Sequence, residues 1–330
     1  MQYGEGAELV RRRQHWLVVV WLTVAISGST AWAEEGDREL LEAIDVALRT
    51  QAHEIKTARV VCKYLNGGAR AAISGPKVDA AIVKLRQALA GEDEAAQRER
   101  FKEIVSELIG TQPWSELVLV QQGESIRNQR KLASSGYVRD VATHDDHRTY
   151  YWEDNGRKQA EIESTEQRAQ RSIRSVGLLR VNLGELDDTW KVIPSASPGT
   201  VKIGRTENYP FFVSFDERSK VMTQGIFGIP TTTYMVWGGL TTYPGDIVMP
   251  TCGFDITVLD DKVKTFEAFV VEKAEYNVEL TEDQVRLQVA KGTRVIDRRD
   301  PQNQRHFLAP RAGDAVTLAD EHAADLEKRK

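Results

Sequence analysis

The chain has little cysteine, little histidine and, past its first thirty residues, no long hydrophobic run. Two cysteines and six histidines occur in 330 residues. So few thiols exclude a disulfide-stapled scaffold, and Cys62 and Cys252 lie too far apart to form a CxxC redox pair. No apolar stretch reaches the roughly 20 residues a spanning helix needs, so the mature protein is not expected to be an integral membrane protein. Positive charge is not in excess either. The formal net charge is −5, which argues against nucleic acid or an anionic membrane surface as partner. Nucleophile elbows, phosphate loops and supported carboxylate pairs are absent as motifs, so the reading is a non-enzymatic protein with no cofactor and no metal.

What is present begins with a leader. Arg11-Arg12-Arg13 precedes the apolar run Trp16–Ile26, and small residues follow to Ala31-Trp32-Ala33. A basic n-region, a short apolar segment and an A-x-A site predict a secretory signal peptide over 1–33, cleaved before Glu34. The mature chain is then periplasmic or secreted. Export leaves two readings open for Cys62 and Cys252. They form one bridge, which would close a loop of about 190 residues and contribute roughly 5 kcal/mol, or they are two buried free thiols.

Residues 37–56 carry Leu41, Ile44, Leu48 and Ile55 at helical spacing, with Asp37 as a cap. A strand is predicted over 58–64, ending in the turn Asn66-Gly67-Gly68. Two amphipathic helices follow, one with Val78, Ile82, Leu85 and Leu89, the other with Phe101, Ile104, Val105 and Leu108. From Trp114 onward the pattern changes to short alternating runs punctuated by Gly, Pro, Asn and Asp, which is β-rich patterning. Its clearest unit is the hairpin Tyr150–Ile162. There Asn155-Gly156 supplies a type I′ turn and places Asp154 opposite Arg157 and Glu153 opposite Lys158. Alternation puts Tyr151, Ala160 and Ile162 on a core face, and Tyr150 and Trp152 on the other, beside Gln159 and Glu161. Further strands are expected over 188–193, 201–206, 209–216, 219–228, 231–238, 246–257 and 263–276. No linker divides the β region, so one continuous sheet is expected within a domain of residues 34–315, followed by a charged, frayed helical tail over 316–330.

Helix, strand, helices and then many antiparallel strands resemble the LolA/LolB-like lipoprotein-carrier superfamily. Tyr243-Pro244-Gly245-Asp246-Ile247-Val248-Met249-Pro250 is similar to a strand entry common there. Asn277, Leu280 and Gly292–Asp297 are similar to its closing segment, with Val285 and Ala290 departing where Phe and Pro are usual. The resemblance implies an α+β fold: a large curved antiparallel sheet, an unclosed β-barrel, covered by N-terminal helices. It also implies an apolar small molecule or lipidated protein as partner. Tyr150, Trp152, Phe212, Tyr234 and Trp237 are the candidates for lining the ligand site, against the plainer reading that they fill the core. His144-Asp145-Asp146-His147 reads as a solvated turn between strands. The alternative function is an envelope sensor or interaction module that binds a protein partner through the same sheet.

Overall fold

The computed structural model describes residues 36–47, 55–67, 73, 75–89, 93–123, 125–133, 135–144, 146–164, 189–195, 198–205, 211–228, 231–260 and 262–329. The leader expected over 1–33 lies outside them, as do residues 48–54 of the first predicted helix, whose last two positions, 55 and 56, are not helical. Among the described residues no helix is long and apolar enough to cross a membrane.

Among the described residues fifteen strands form one sheet. Its first half is an antiparallel meander: β1 (Thr57–Gly67), β2 (Ser115–Gln122), β3 (Ser125–Lys131), β4 (Val138–His144), β5 (His147–Asp154) and β6 (Arg157–Ser164). The second half is another meander: β7 (Lys191–Ile193), β8 (Thr200–Arg205), β9 (Phe211–Asp216), β10 (Met222–Phe227), β11 (Thr232–Tyr243), β12 (Ile247–Leu259) and β13 (Lys262–Tyr276). Antiparallel pairing of β1 with β13 joins the two halves, so the first strand lies mid-sheet beside nearly the last. The strand over 57–67 runs through Asn66 and Gly67, which pair with Glu267 and Phe266 rather than turning as the sequence implies. After α4 (Glu282–Val285) and the short β14 (Gln288–Val289), strand β15 (Arg294–Asp297) joins β6 in parallel. It is followed by β16 (Arg305–Leu308), β17 (Gly313–Asp314) and α5 (Ala315–Lys328). Among the described residues the sheet ends at β16 on one side and β7 on the other and does not close.

Strand alternation gives the sheet two faces, and each is covered by helix. Helix α1 (residues 36–47) lays Leu40, Leu41 and Ile44 against one, among Val60, Cys62, Leu117, Leu119, Trp237 and Phe269. Helices α2 (Gly75–Leu89) and α3 (Glu94–Ile109) cover the other, where Val78, Ile82, Leu85, Phe101 and Ile104 meet Phe254, Ile256 and Phe266. Each such side chain contributes about 1.5–3 kcal/mol by leaving water. Asp93 caps α3 by accepting from the amides of Ala95 (2.9 Å) and Ala96 (3.3 Å). Leu89 of α2 packs so closely on Gly238 that a Cβ there would stand 2.0 Å from its Cδ1. On that second face α4 lays Val285 against Val120, with Leu280 beside them.

Residues 316–328 are helical, as expected of this tail, but docked rather than frayed. They belong to α5, whose Ala315, Leu318 and Ala319 are buried against Ala160, Ile162, Val289 and Val295. Asp314 caps this helix, accepting from the Thr317 amide at 2.9 Å. The two thiols are free and buried. Cys62 pairs with Val271 and Cys252 with Val270. Neighbouring residues of β13 point to opposite faces, so the thiols do too, with a strand between them. The bridge reading is thereby corrected, because opposite-face residues two strands apart cannot meet disulfide geometry.

Candidate functional site

The site is built on the β3–β4–β5–β6 meander, on the face that carries Cys62 and Leu117. The β5–β6 turn is the one the sequence implies. Asn155 and Gly156 take φ values of 47° and 78°, and Asp154 pairs with Arg157 and Glu153 with Lys158. The β3–β4 connection is longer, closed by the Leu132 amide donating to the Tyr137 carbonyl at 2.8 Å. Registers then line up one row across the sheet: Cys62, Leu117, Arg130, Arg139, Trp152 and Gln159 stand successively opposite one another. The adjacent row carries Asn128, Val141, Tyr150 and Glu161.

A pocket of about 290 Å³ opens on these rows, lined by Arg130, Leu132, Tyr137, Arg139, Tyr150, Tyr151 and Trp152. The Tyr150 and Trp152 rings lie 6.2 Å apart and tilted by 38°, and both are half-buried. Arg148 donates to the Tyr150 hydroxyl at 3.4 Å. Arg130 lies 4.9 Å above the Tyr64 ring, and its Nε is buried without an acceptor. From Tyr64 a polar chain continues along the same face: Asn66 Nδ2 donates to the Tyr64 hydroxyl (3.1 Å) and to Glu267 Oε1 (2.8 Å). Glu267 stands opposite Asp255 on β12. Burial, and secondarily the Glu267 charge, push the Asp255 carboxyl up to about 7. Burial also raises Glu267, while the Tyr64 hydroxyl and Arg130 oppose that rise.

The five aromatic candidates are not brought to one place. Tyr150 and Trp152 line the pocket together. Trp237 shares their face but sits many strands away, 7% exposed, its ring pressed over Gly253, where a Cβ would stand 2.8 Å from it. It is core. Tyr234 and Phe212 lie on the opposite face, since Phe212 pairs with Ile226 and Ile226 with Tyr234. Tyr234 is buried against the α2–α3 layer, and Phe212 lies under Lys202 at 4.7 Å. Sequence reasoning overlooked Arg130, Arg139, Leu132 and Tyr137. Ser-Ile-Arg-Asn-Gln-Arg-Lys carries one apolar residue, so alternation does not mark it as a strand, and a connection longer than two residues leaves the facing partners open.

His144 and His147 face each other at the end of the β4–β5 hairpin. His144 Nδ1 lies 2.6 Å from Ser125 Oγ, and His147 Nδ1 lies 2.5 Å from Asp146. Both border a smaller pocket of about 180 Å³ beneath α5, with Asp314 and Asp320. Among the described residues no group of three His, Cys, Asp or Glu converges as metal ligands.

No family model matches the chain, and no curated protein matches it. Among solved structures it is similar to a LolA superfamily protein from Nitrosomonas europaea, at 6% identity and a TM-score of 0.39, covering 73% of this chain and 96% of that one. It is also similar to a putative outer membrane lipoprotein-sorting protein domain from Vibrio parahaemolyticus, at 7% identity and a TM-score of 0.34, over 76% and 96% of the two chains. A DUF1329 family protein from Desulfovibrio piger shows 9% identity and a TM-score of 0.31, over 72% and 93%. The likeness is one of fold, at low identity, and nothing about ligand or activity follows from it.

Proposed function

We propose that this chain is an exported binding protein that holds an apolar or acylated molecule on the β3–β6 meander. The observation that carries the reading is the pocket in which Leu132, Tyr137, Tyr150 and Trp152 present half-buried apolar surface beside Arg130 and Arg139. Concave, largely apolar surface with a few polar groups fixing orientation is the usual form of a small-molecule site. Aromatic rings supply a large contact area at low entropic cost, and arginine stems extend it. Export rests on the leader pattern from Arg11 to Ala33. The occupant is an acyl chain, a lipid or the lipid moiety of a modified protein.

Native mass spectrometry of protein isolated gently from the envelope tests this. The expected spectrum shows a polypeptide beginning at Glu34 that carries an additional small-molecule mass, released on denaturation. A bare polypeptide that takes up no acyl compound would overturn the reading and place a protein-binding role first.

A further inference from the structure

Resting on that reading, we infer that the molecule bound at this site carries an anionic group, a carboxylate or a phosphate, which Arg130 and Arg139 hold between them. The two arginines stand directly opposite each other on β3 and β4. Like charges in that position repel, and proteins ordinarily avoid or compensate the arrangement. The other face of the same strand shows the compensation: Arg127 is paired with buried Asp140 at 2.8 Å. Arg130 and Arg139 have no such acid. Among the described residues neither joins an ion pair, and Arg130 Nε is buried with no acceptor.

Glu153, Glu161 and Glu267, the acids of the surrounding strands, are each engaged elsewhere. Glu153 pairs with Lys158 at 3.8 Å and accepts from the Tyr151 hydroxyl. Glu161, on the neighbouring row, is paired with Arg298 at 3.3 Å. Glu267, which Arg130 reaches electrostatically past Tyr64, is held by Asn66. Arg148 adds a third guanidinium on this face, tied to the Tyr150 hydroxyl. A chain of net charge −5 thus sets two arginines, Arg130 and Arg139, on the lining of one aromatic pocket. Guanidinium groups bind carboxylate and phosphate through paired N–H donors, and the Tyr150–Trp152 surface beside them suits an apolar chain. The occupant is therefore an amphiphile lying with its charged end between the arginines.

The test is a fluorescence and calorimetric titration of the full chain with octanoate, octyl phosphate and octanol, which share one apolar chain and differ in head group. Either anion is expected to bind about tenfold or more tightly than the alcohol, the scale of one hydrogen bond to a charged group. The preferred anion tells a fatty acid from a phosphate-bearing lipid. In Arg139→Gln and Arg130→Gln the ratio of anion to octanol affinity should fall to near one, and Arg139 is exposed enough for its replacement to leave folding intact. Octanol binding as tightly as both anions would overturn the inference and leave the binding reading standing. Failure of all three to bind would overturn both. An anion preference that survives in both variants would also overturn the inference.

Discussion

Arg127 and Asp140 meet side-on across the β3–β4 hairpin, with Nε 3.1 Å from Oδ1 and Nη2 2.8 Å from Oδ2. Asp140 is 2% exposed and also accepts from Gln129 at 3.1 Å. The remaining arginine nitrogen, Nη1, donates to the carbonyls of Asp283 (2.9 Å), Gln284 (3.2 Å) and Arg286 (3.1 Å). One guanidinium therefore neutralises a buried acid and caps the C-terminal end of α4, tying the closing segment to the strand that carries Arg130. Removing one partner of a buried pair strands the other. Arg127→Leu is expected to cost about 3–5 kcal/mol in urea denaturation, and Arg127→Lys part of that, because an ammonium cannot make the forked contact. A loss below about 1 kcal/mol, the scale of an exposed pair, would show that the contact is incidental.

Both thiols should be unreactive in the native protein. Burial pushes Cys252 up to about 12 and Cys62 higher still, and only the thiolate is alkylated. Iodoacetamide should label neither until denaturant is added, then both. Reduced and non-reduced samples should migrate alike, and a mobility difference between them would contradict the opposite-face placement.

Asp255 sets a pH dependence whose sign runs against the usual carboxylate case. Its folded pKa, about 7, lies above the unfolded value of about 3.9. Between those values the folded state holds a proton that the unfolded state has released, so this group's contribution falls as pH rises through the window. Asp255→Asn should remove that slope and raise the melting temperature relative to the native protein at pH 8 more than at pH 4. A difference independent of pH would contradict the burial assigned to this carboxyl.

The parts of this fold legible in the sequence are those fixed by short-range chemistry. Asn155-Gly156 sets a register that needs no distant information, so Tyr151, Ala160 and Ile162 fall on one face as the alternation implies. Helices α2 and α3 follow from apolar periodicity. The seam between β1 and β13 was not legible, since it pairs Cys62 with Val271 across most of the chain. Nor was the docking of α5, because a small-residue stripe at Ala315 and Ala319 reads as a frayed helical tail until Ile162 and Val295 are placed beneath it. The candidate site was half legible for the same reason. Tyr150 and Trp152 belong to the short-turn hairpin, whereas Arg130 and Arg139 meet only through the register of β3 on β4.

The claim that an apolar chain lies against the Tyr150–Trp152 surface is tested most directly by contact quenching. Bromooctanoate quenches an indole only where its bromine-bearing chain touches the ring. Saturating the protein should quench part of the tryptophan emission, and Trp152→Phe, which keeps an aromatic surface and the fold, should abolish that part while buried Trp237 contributes none. Quenching that persists undiminished in Trp152→Phe, or none at all in the native chain, would contradict the account.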